Sequence, residues 1–298
     1  MEPFETRDFY GLLVKGDLPS AMRYLSQFPE QAELLAKYKN LFEQEQYITY
    51  GASAEVNAVL LIYQQYYRDA FYLQIPAEQA EAGLHKRLSS HFQAGGFSLE
   101  QLEDGPVAGL FQKEGFHFLG GRTGGYWGPY IWRTTEDAVY QVELPEGVQA
   151  YTVRLLDGFL SRSWIDHLSF GAVGTGGWTN GDGLIHCVRS AYDLQSEDFT
   201  VSLLKHEAQH VMDLKAYPSM SSGDLEYRAK LVELIYSTAR NLLPYFVSQA
   251  DGSQSTNGHA MAADRIAAAF PDWERCTIAE IQARAKTLFA ESSMEIRA

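Results

Sequence analysis

The chain has 298 residues, 46% hydrophobic and 21% charged, with a formal net charge of −14. This composition suits a folded globular protein with a real core. The acidic balance and the lack of a basic block argue against nucleic acid or an anionic membrane surface as partners, and no run approaches the roughly 18 apolar residues of a membrane span. The two cysteines, Cys187 and Cys276, do not make a disulfide framework. The first residues lack the basic and apolar regions of a signal peptide, so the expected location is cytoplasmic.

In chain order, residues 5–45 read as a helical hairpin. Phe9, Leu12 and Leu13 form one short apolar face, and Gly16-Asp17-Leu18-Pro19-Ser20 makes a turn. Residues 53–73 form a Tyr- and Leu-rich helix ending before Pro76, and Ala77 to Phe92 form another, stopped by Gly95-Gly96. The aromatic stripe Tyr63, Tyr66, Tyr67, Phe71 and Tyr72 is expected to be core, not a ligand groove. The antiparallel pairs show no fixed repeat period.

The composition shifts near residue 94. Residues 105–190 are rich in glycine, β-branched residues and aromatics, which predicts a small, mostly antiparallel sheet. Gly120 to Pro129 reads as a loop that is neither a P-loop nor a dinucleotide fingerprint. Strands are expected at Tyr130–Arg133, Ala138–Leu144 and Ala150–Leu155, with a turn at Pro145-Glu146-Gly147. After a second glycine-rich stretch, Gly171 to Trp178, and a turn at Asn180-Gly181-Asp182-Gly183, Leu184–Val188 reads as a further strand.

The stretch Leu203 to Leu214 carries the chemistry. It contains His206-Glu207-Ala208-Gln209-His210, an H-E-x-x-H pattern, and the flanking apolar residues recur at helical spacing up to Pro218. On a helix, two histidines four residues apart share a face and can bind one Zn²⁺. The glutamate beside them can take a proton from water activated by the metal. A short break at 217–223 precedes a second helix, and Glu226 in its first turn is the expected third ligand. Glu233, two turns further on, is the alternative. The second helix is expected to run on to Pro244 or just beyond. After the polar loop 251–258, helices are expected at His259–Phe270 and Ile278–Phe289, with 290–298 frayed.

His206, Glu207, His210 and Glu226 make residues 196–240 resemble the gluzincin branch of zinc metallopeptidases. Many members carry an aspartate four residues after the glutamate ligand; this chain has Lys230 there, and a short gap from His210 to Glu226. The metzincin pattern fails at Asp213 and Ala216. The resemblance implies a Zn²⁺-dependent peptidase acting on peptide or protein substrates, with His206, His210 and Glu226 as metal ligands and Glu207 as general base.

The donor that stabilises the transition state is expected among His259, Tyr227 and Tyr192, with His259 preferred. Asp213 could orient an imidazole, and Leu184–Val188 is the candidate edge strand for an extended peptide. His85, His91, His117 and His167 are expected to be structural or exposed; His186 could approach the site with its strand but is not expected to be a ligand. The rival reading is an inactive zincin-like protein that binds peptide or holds zinc structurally; a third is a zinc hydrolase of non-peptide substrates. The expected architecture is α+β, with a helical region over 1–104 and a zincin-like domain over 105–298.

Overall fold

The computed structural model describes residues 3–179, 183–251 and 257–297, and the fold is α+β. The chain forms two compact units, and neither is one continuous segment. The first comprises residues 1–134 and 157–175, the second 135–156 and 176–298.

The first unit opens with α1 (Thr6–Val14), α2 (Leu18–Leu25) and α3 (Ala32–Tyr38), followed by α4 (Ala54–Tyr67) and α5 (Ala77–Phe92). Local chemistry sets these starts. The Asp17 carboxylate accepts from the Ser20 N–H, with Pro19 in the first turn of α2, and Ser53 caps α4. The predicted hairpin over 5–45 is thus three short helices. The aromatic stripe of α4 and the π-turn after it is core as expected: Tyr63, Tyr66, Tyr67 and Phe71 are all buried.

The unit does not stop at residue 104. Two further helices, α6 (Leu99–Leu102) and α7 (Ala108–Lys113), fall partly where strand was expected, joined by a π-turn over Glu103–Val107. The strands β1 (His117–Leu119), β2 (Arg122–Thr123), β3 (Tyr126–Trp127) and β4 (Tyr130–Trp132) follow. The predicted loop over Gly120 to Pro129 therefore holds a small antiparallel hairpin, β2–β3. Its turn residues Gly124 and Gly125 sit at φ of 57° and 88°, the left-handed region that a tight hairpin turn requires.

The chain then passes into the second unit as a hairpin, β5 (Thr134–Leu144) and β6 (Gly147–Asp157). It returns to the first as β7 (Ser161–Arg162) and α8 (Ser163–Leu168). β1, β4 and β7 form an antiparallel sheet. Phe111, Phe116, Trp127, Ile131, Trp164 and Leu168 join the same buried cluster as the N-terminal helices, which is why the compact unit extends past residue 104.

The second unit adds β8 (Gly177–Thr179), β9 (Leu184–Val188), α9 (Leu204–Ala216), α10 (Ser222–Tyr236), α11 (Leu242–Ser248), α12 (Gly258–Ala269) and α13 (Ile278–Arg297). Its sheet runs β5-β6-β9-β8, with β6 and β9 parallel and β8 antiparallel to β9. The predicted turn at 180–183 lies mostly outside the described residues, as does most of the loop at 251–258. Ile185 and Cys187 point from β9 into the core, where Phe199, Leu203, Leu204, Ala208 and Val211 of α9 and its preceding π-turn meet them. Apolar burial on this scale, at roughly 25 cal/mol per Å², holds α9 against the sheet.

Three expectations need correction here. β9 is an interior strand, flanked by β6 and β8, and β8 is the outermost strand on that side among the described residues. The second site helix ends at Tyr236, and α11 is a separate helix. The C-terminus does not fray at 290: α13 continues to Arg297 because Ser292 is buried and Ser293 accepts from Arg228. Both cysteines are free thiols. Among the described residues, no helix is long and apolar enough to cross a membrane.

Candidate metal centre

Two helices build the centre. α9 is reached through a π-turn over Asp198–Leu203 and ends at Ala216, one residue before Tyr217-Pro218. Its four-residue period stacks His206 over His210, with the two Nε2 atoms 3.0 Å apart. α10 begins under the Ser221 cap, whose hydroxyl accepts from the Asp224 N–H. That start sets the phase of the helix, so that Glu226 faces α9. Its carboxylate oxygens lie 3.5 Å from His206 Nε2 and 3.5 Å from His210 Nε2.

The three donor atoms lie within 4.8 Å of one another. Tetrahedral ligands about 2.0–2.1 Å from a zinc ion stand about 3.3 Å apart, and the observed 3.0 and 3.5 Å bracket that spacing. The residues therefore fit a divalent ion with two nitrogen ligands and one oxygen.

Glu233 is not beside those donors. It lies behind His206, with Oε1 2.7 Å from Nδ1. A carboxylate there holds the proton on Nδ1 and leaves the Nε2 lone pair facing Glu226. The gluzincin pattern expects an aspartate four residues after the glutamate ligand; here a glutamate seven residues on, one turn further along the same face, makes the contact to the imidazole. Asp213 does not orient an imidazole and is not solvated. It is 1% exposed and accepts from Arg228 Nε at 2.8 Å. His210 Nδ1 is buried and has no hydrogen-bond partner.

His259 opens α12, where Asn257 caps the helix by accepting from the N–H groups of His259 and Ala260. Its Nδ1 is 2.8 Å from Glu226 Oε2. The ring N–H is not aimed at that oxygen, which has no hydrogen-bond partner, so the contact is electrostatic. Tyr192 lines the same cavity as His206, Glu207 and His259. Tyr227 does not: it is buried beneath the Arg265 guanidinium, 3.7 Å from its ring centre.

The electrostatics follow from three clustered carboxylates. Burial raises the Glu207 carboxyl above the usual range, against the pull of His206 and His210. Burial alone would lower His206, yet Glu233, Glu207 and Glu226 together raise it. Burial would likewise raise Glu226, but the imidazoles of His210, His259 and His206 hold it well below the ordinary carboxylate range. The opposite shifts of His206 and Glu226 have one cause: each favours its charged form because opposite charge stands beside it. Tyr192 is pushed up to about 12 by burial and by nearby acids, so it stays a neutral O–H donor.

The centre opens on a cavity of about 710 Å³. Gly176 and Gly177 form part of its wall, and the backbone packing at Gly177 requires glycine. A side-chain carbon at Gly177 would come within 2.6 Å of the His186 carbonyl, and one at Gly176 would meet the Tyr192 hydroxyl. The second glycine-rich stretch thus lets β8 lie close against β9 and the residues leading into α9. The other histidines stay apart. His85, His91, His117 and His167 lie in the first unit, and His186 stacks on Trp178 with ring centres 4.9 Å apart. Among the described residues, His206, His210 and Glu226 are the one group placed to hold a metal.

Sequence reasoning did not identify what lies past Glu233. Lys230 is buried in the cavity wall, which Asn241, Tyr245 and Gln249 also line. Only the mismatch at Lys230 with the gluzincin pattern marked that position. No protein-family model matches the chain, and neither do curated proteins or solved structures.

Proposed function

We propose that this protein is a zinc-dependent peptidase of gluzincin type. One observation carries the reading: His206 Nε2, His210 Nε2 and the Glu226 carboxylate converge at ligand spacing, beside a cavity that His206 and Glu207 line. When bound there, zinc would supply Lewis acidity toward a carbonyl and make water a better acid at neutral pH.

The remaining work falls to the chain. Glu207 is half-buried, beside the ligands and not one of them, which suits it to take a proton from water and hand it to the leaving amine. Its raised affinity for protons favours the first half of that transfer. Glu233 holds the His206 ring in one tautomer. His259 and Tyr192 are the donors available to a developing oxyanion on the cavity side. β8 replaces β9 as the strand against which an extended peptide would lie, since β8 is the outer strand and Gly177 is in the cavity wall.

The test is metal analysis of the purified protein, paired with cleavage of a random peptide pool with and without chelator. The expected outcome is about one zinc per chain and cleavage that stops on metal removal and returns with zinc. Cleavage that survives complete metal removal would sink the mechanism. Bound zinc with no cleavage would favour a non-catalytic binder.

A further inference from the structure

Lys230 sits one helical turn beyond Glu226, on α10, and is 4% exposed. Burying an ammonium costs several kcal/mol unless something meets its charge. Here the Nζ stands 4.2 Å above the Phe246 ring centre and donates to Gln249 Oε1 at 3.2 Å. An ammonium has three donors. Among the described residues, no carboxylate lies within ion-pair distance of it. Glu233 and Glu226 act on it only at longer range, and burial still makes it less basic than an ordinary lysine.

The lysine lines the same cavity as His206 and Glu207. Two of the acids there are already engaged: Glu197 accepts from Ser237 and Thr238, and Glu233 from His206. Asp198 is solvent-exposed. Asn241 and Gln249 add neutral amides to the cavity wall, and Gln249 is in contact with the ammonium.

We infer that Lys230, with Gln249 and Asn241, forms a binding subsite for a carboxylate of the substrate. This deepens the peptidase reading and rests on it. Positions i and i+4 on a helix are about 5–6 Å apart at their Cβ atoms. A carboxylate held at Lys230 therefore lies within a residue or two of a carbonyl placed at the metal centre beside Glu226. The carboxylate is either the free C-terminus of a peptide or an acidic side chain next to the cleaved bond.

The test uses wild type, Lys230→Met and Lys230→Arg, each checked for zinc content and thermal unfolding; Lys230→Gln replaces the methionine variant if that fails to fold. The probe is one defined set of N-acetylated hexapeptides in matched pairs, C-terminal carboxylate against carboxamide, and Glu against Gln at each internal position. Wild type is expected to favour one carboxylate form by about 10- to 100-fold in kcat/KM, the range of a charge-assisted hydrogen bond. Lys230→Met should bring that ratio close to one, and Lys230→Arg should restore part of it. A preference that follows the terminus assigns the free C-terminus; one that follows internal Glu assigns the side chain. Ratios near one for wild type in both comparisons, or an unchanged ratio in Lys230→Met, overturn the subsite. If wild type cleaves none of the peptides, the peptidase reading fails by itself. Calorimetric binding of the same pairs then tests the subsite alone, where equal Kd values for acid and amide overturn it.

Discussion

Both units bury ionisable groups, and they treat them in opposite ways. In the first unit Glu103 is 1% exposed, accepts from the Tyr63 hydroxyl at 2.5 Å and the Gly121 N–H at 2.6 Å, and has its carboxyl pushed up to about 7 by burial. His167 is pushed down to about 4 by burial and packs against the Tyr67 and Phe42 rings. Each sits alone and is driven toward its neutral form. In the second unit His206, Glu207, Glu226 and Lys230 are each shifted by burial and by neighbouring charges, and several face a cavity. Isolated burial points to packing; clustered burial beside open space points to chemistry. The contrast separates two histidine classes that look alike in sequence.

Four measurements would break or sharpen this contrast. The largest effect is expected from Glu207→Gln, which should lower turnover about 10²- to 10⁴-fold while zinc content stays near one per chain. Unchanged turnover would remove the clustered acids from the chemistry.

Next comes Arg228→Met. Arg228 is 2% exposed and donates to Asp213, Glu146 and Ser293, so its loss strands the buried Asp213 carboxylate. The second unit should lose about 3–5 kcal/mol in denaturant unfolding. A loss under about 1 kcal/mol would mean that acid finds other partners.

The third is a pH experiment on the first unit. Glu103 binds its proton more tightly folded than unfolded, from the ordinary 4.5 up to about 7. Its contribution is therefore complete below about pH 4.5 and is lost as pH rises through 7, by about 3 kcal/mol in all. Glu103→Gln keeps both contacts, since its amide can face Tyr63 and its carbonyl the Gly121 N–H. Relative to wild type, the variant should gain stability steadily from pH 5 to pH 8 in calorimetric melts. A constant difference across that range would show that Glu103 titrates normally.

The smallest effect is expected from Glu233→Gln. Loss of the charge behind His206 should weaken zinc binding about 10- to 100-fold, read by competition with a chromophoric chelator. An unchanged Kd would leave Glu233 no part in holding the ring.

Much of the centre was legible because its spacing is local. A four-residue repeat on a helix brings His206 and His210 together wherever the helix lies, and a serine cap close ahead of Glu226 sets the phase of α10. The α+β class followed from the switch between helical and strand-like composition. What sequence could not read depended on distant residues. The helices at 99–113 and 163–168 needed the first unit's aromatic core to define them. Asp213 reads as a surface acid until Arg228 lies across it. The choice between Glu226 and Glu233 turned on how α10 rotates against α9.

The sequence by itself determined the donor set: two imidazoles, one carboxylate following them and one acid beside them, because residue type and helical period are local properties. Tertiary structure alone decided which carboxylate faces both Nε2 atoms and which stands behind an imidazole. It also made β8 the outer strand and put the Lys230 ammonium in the cavity wall. Those outcomes depend on how separate elements pack, and packing is set by long-range burial that no local pattern contains.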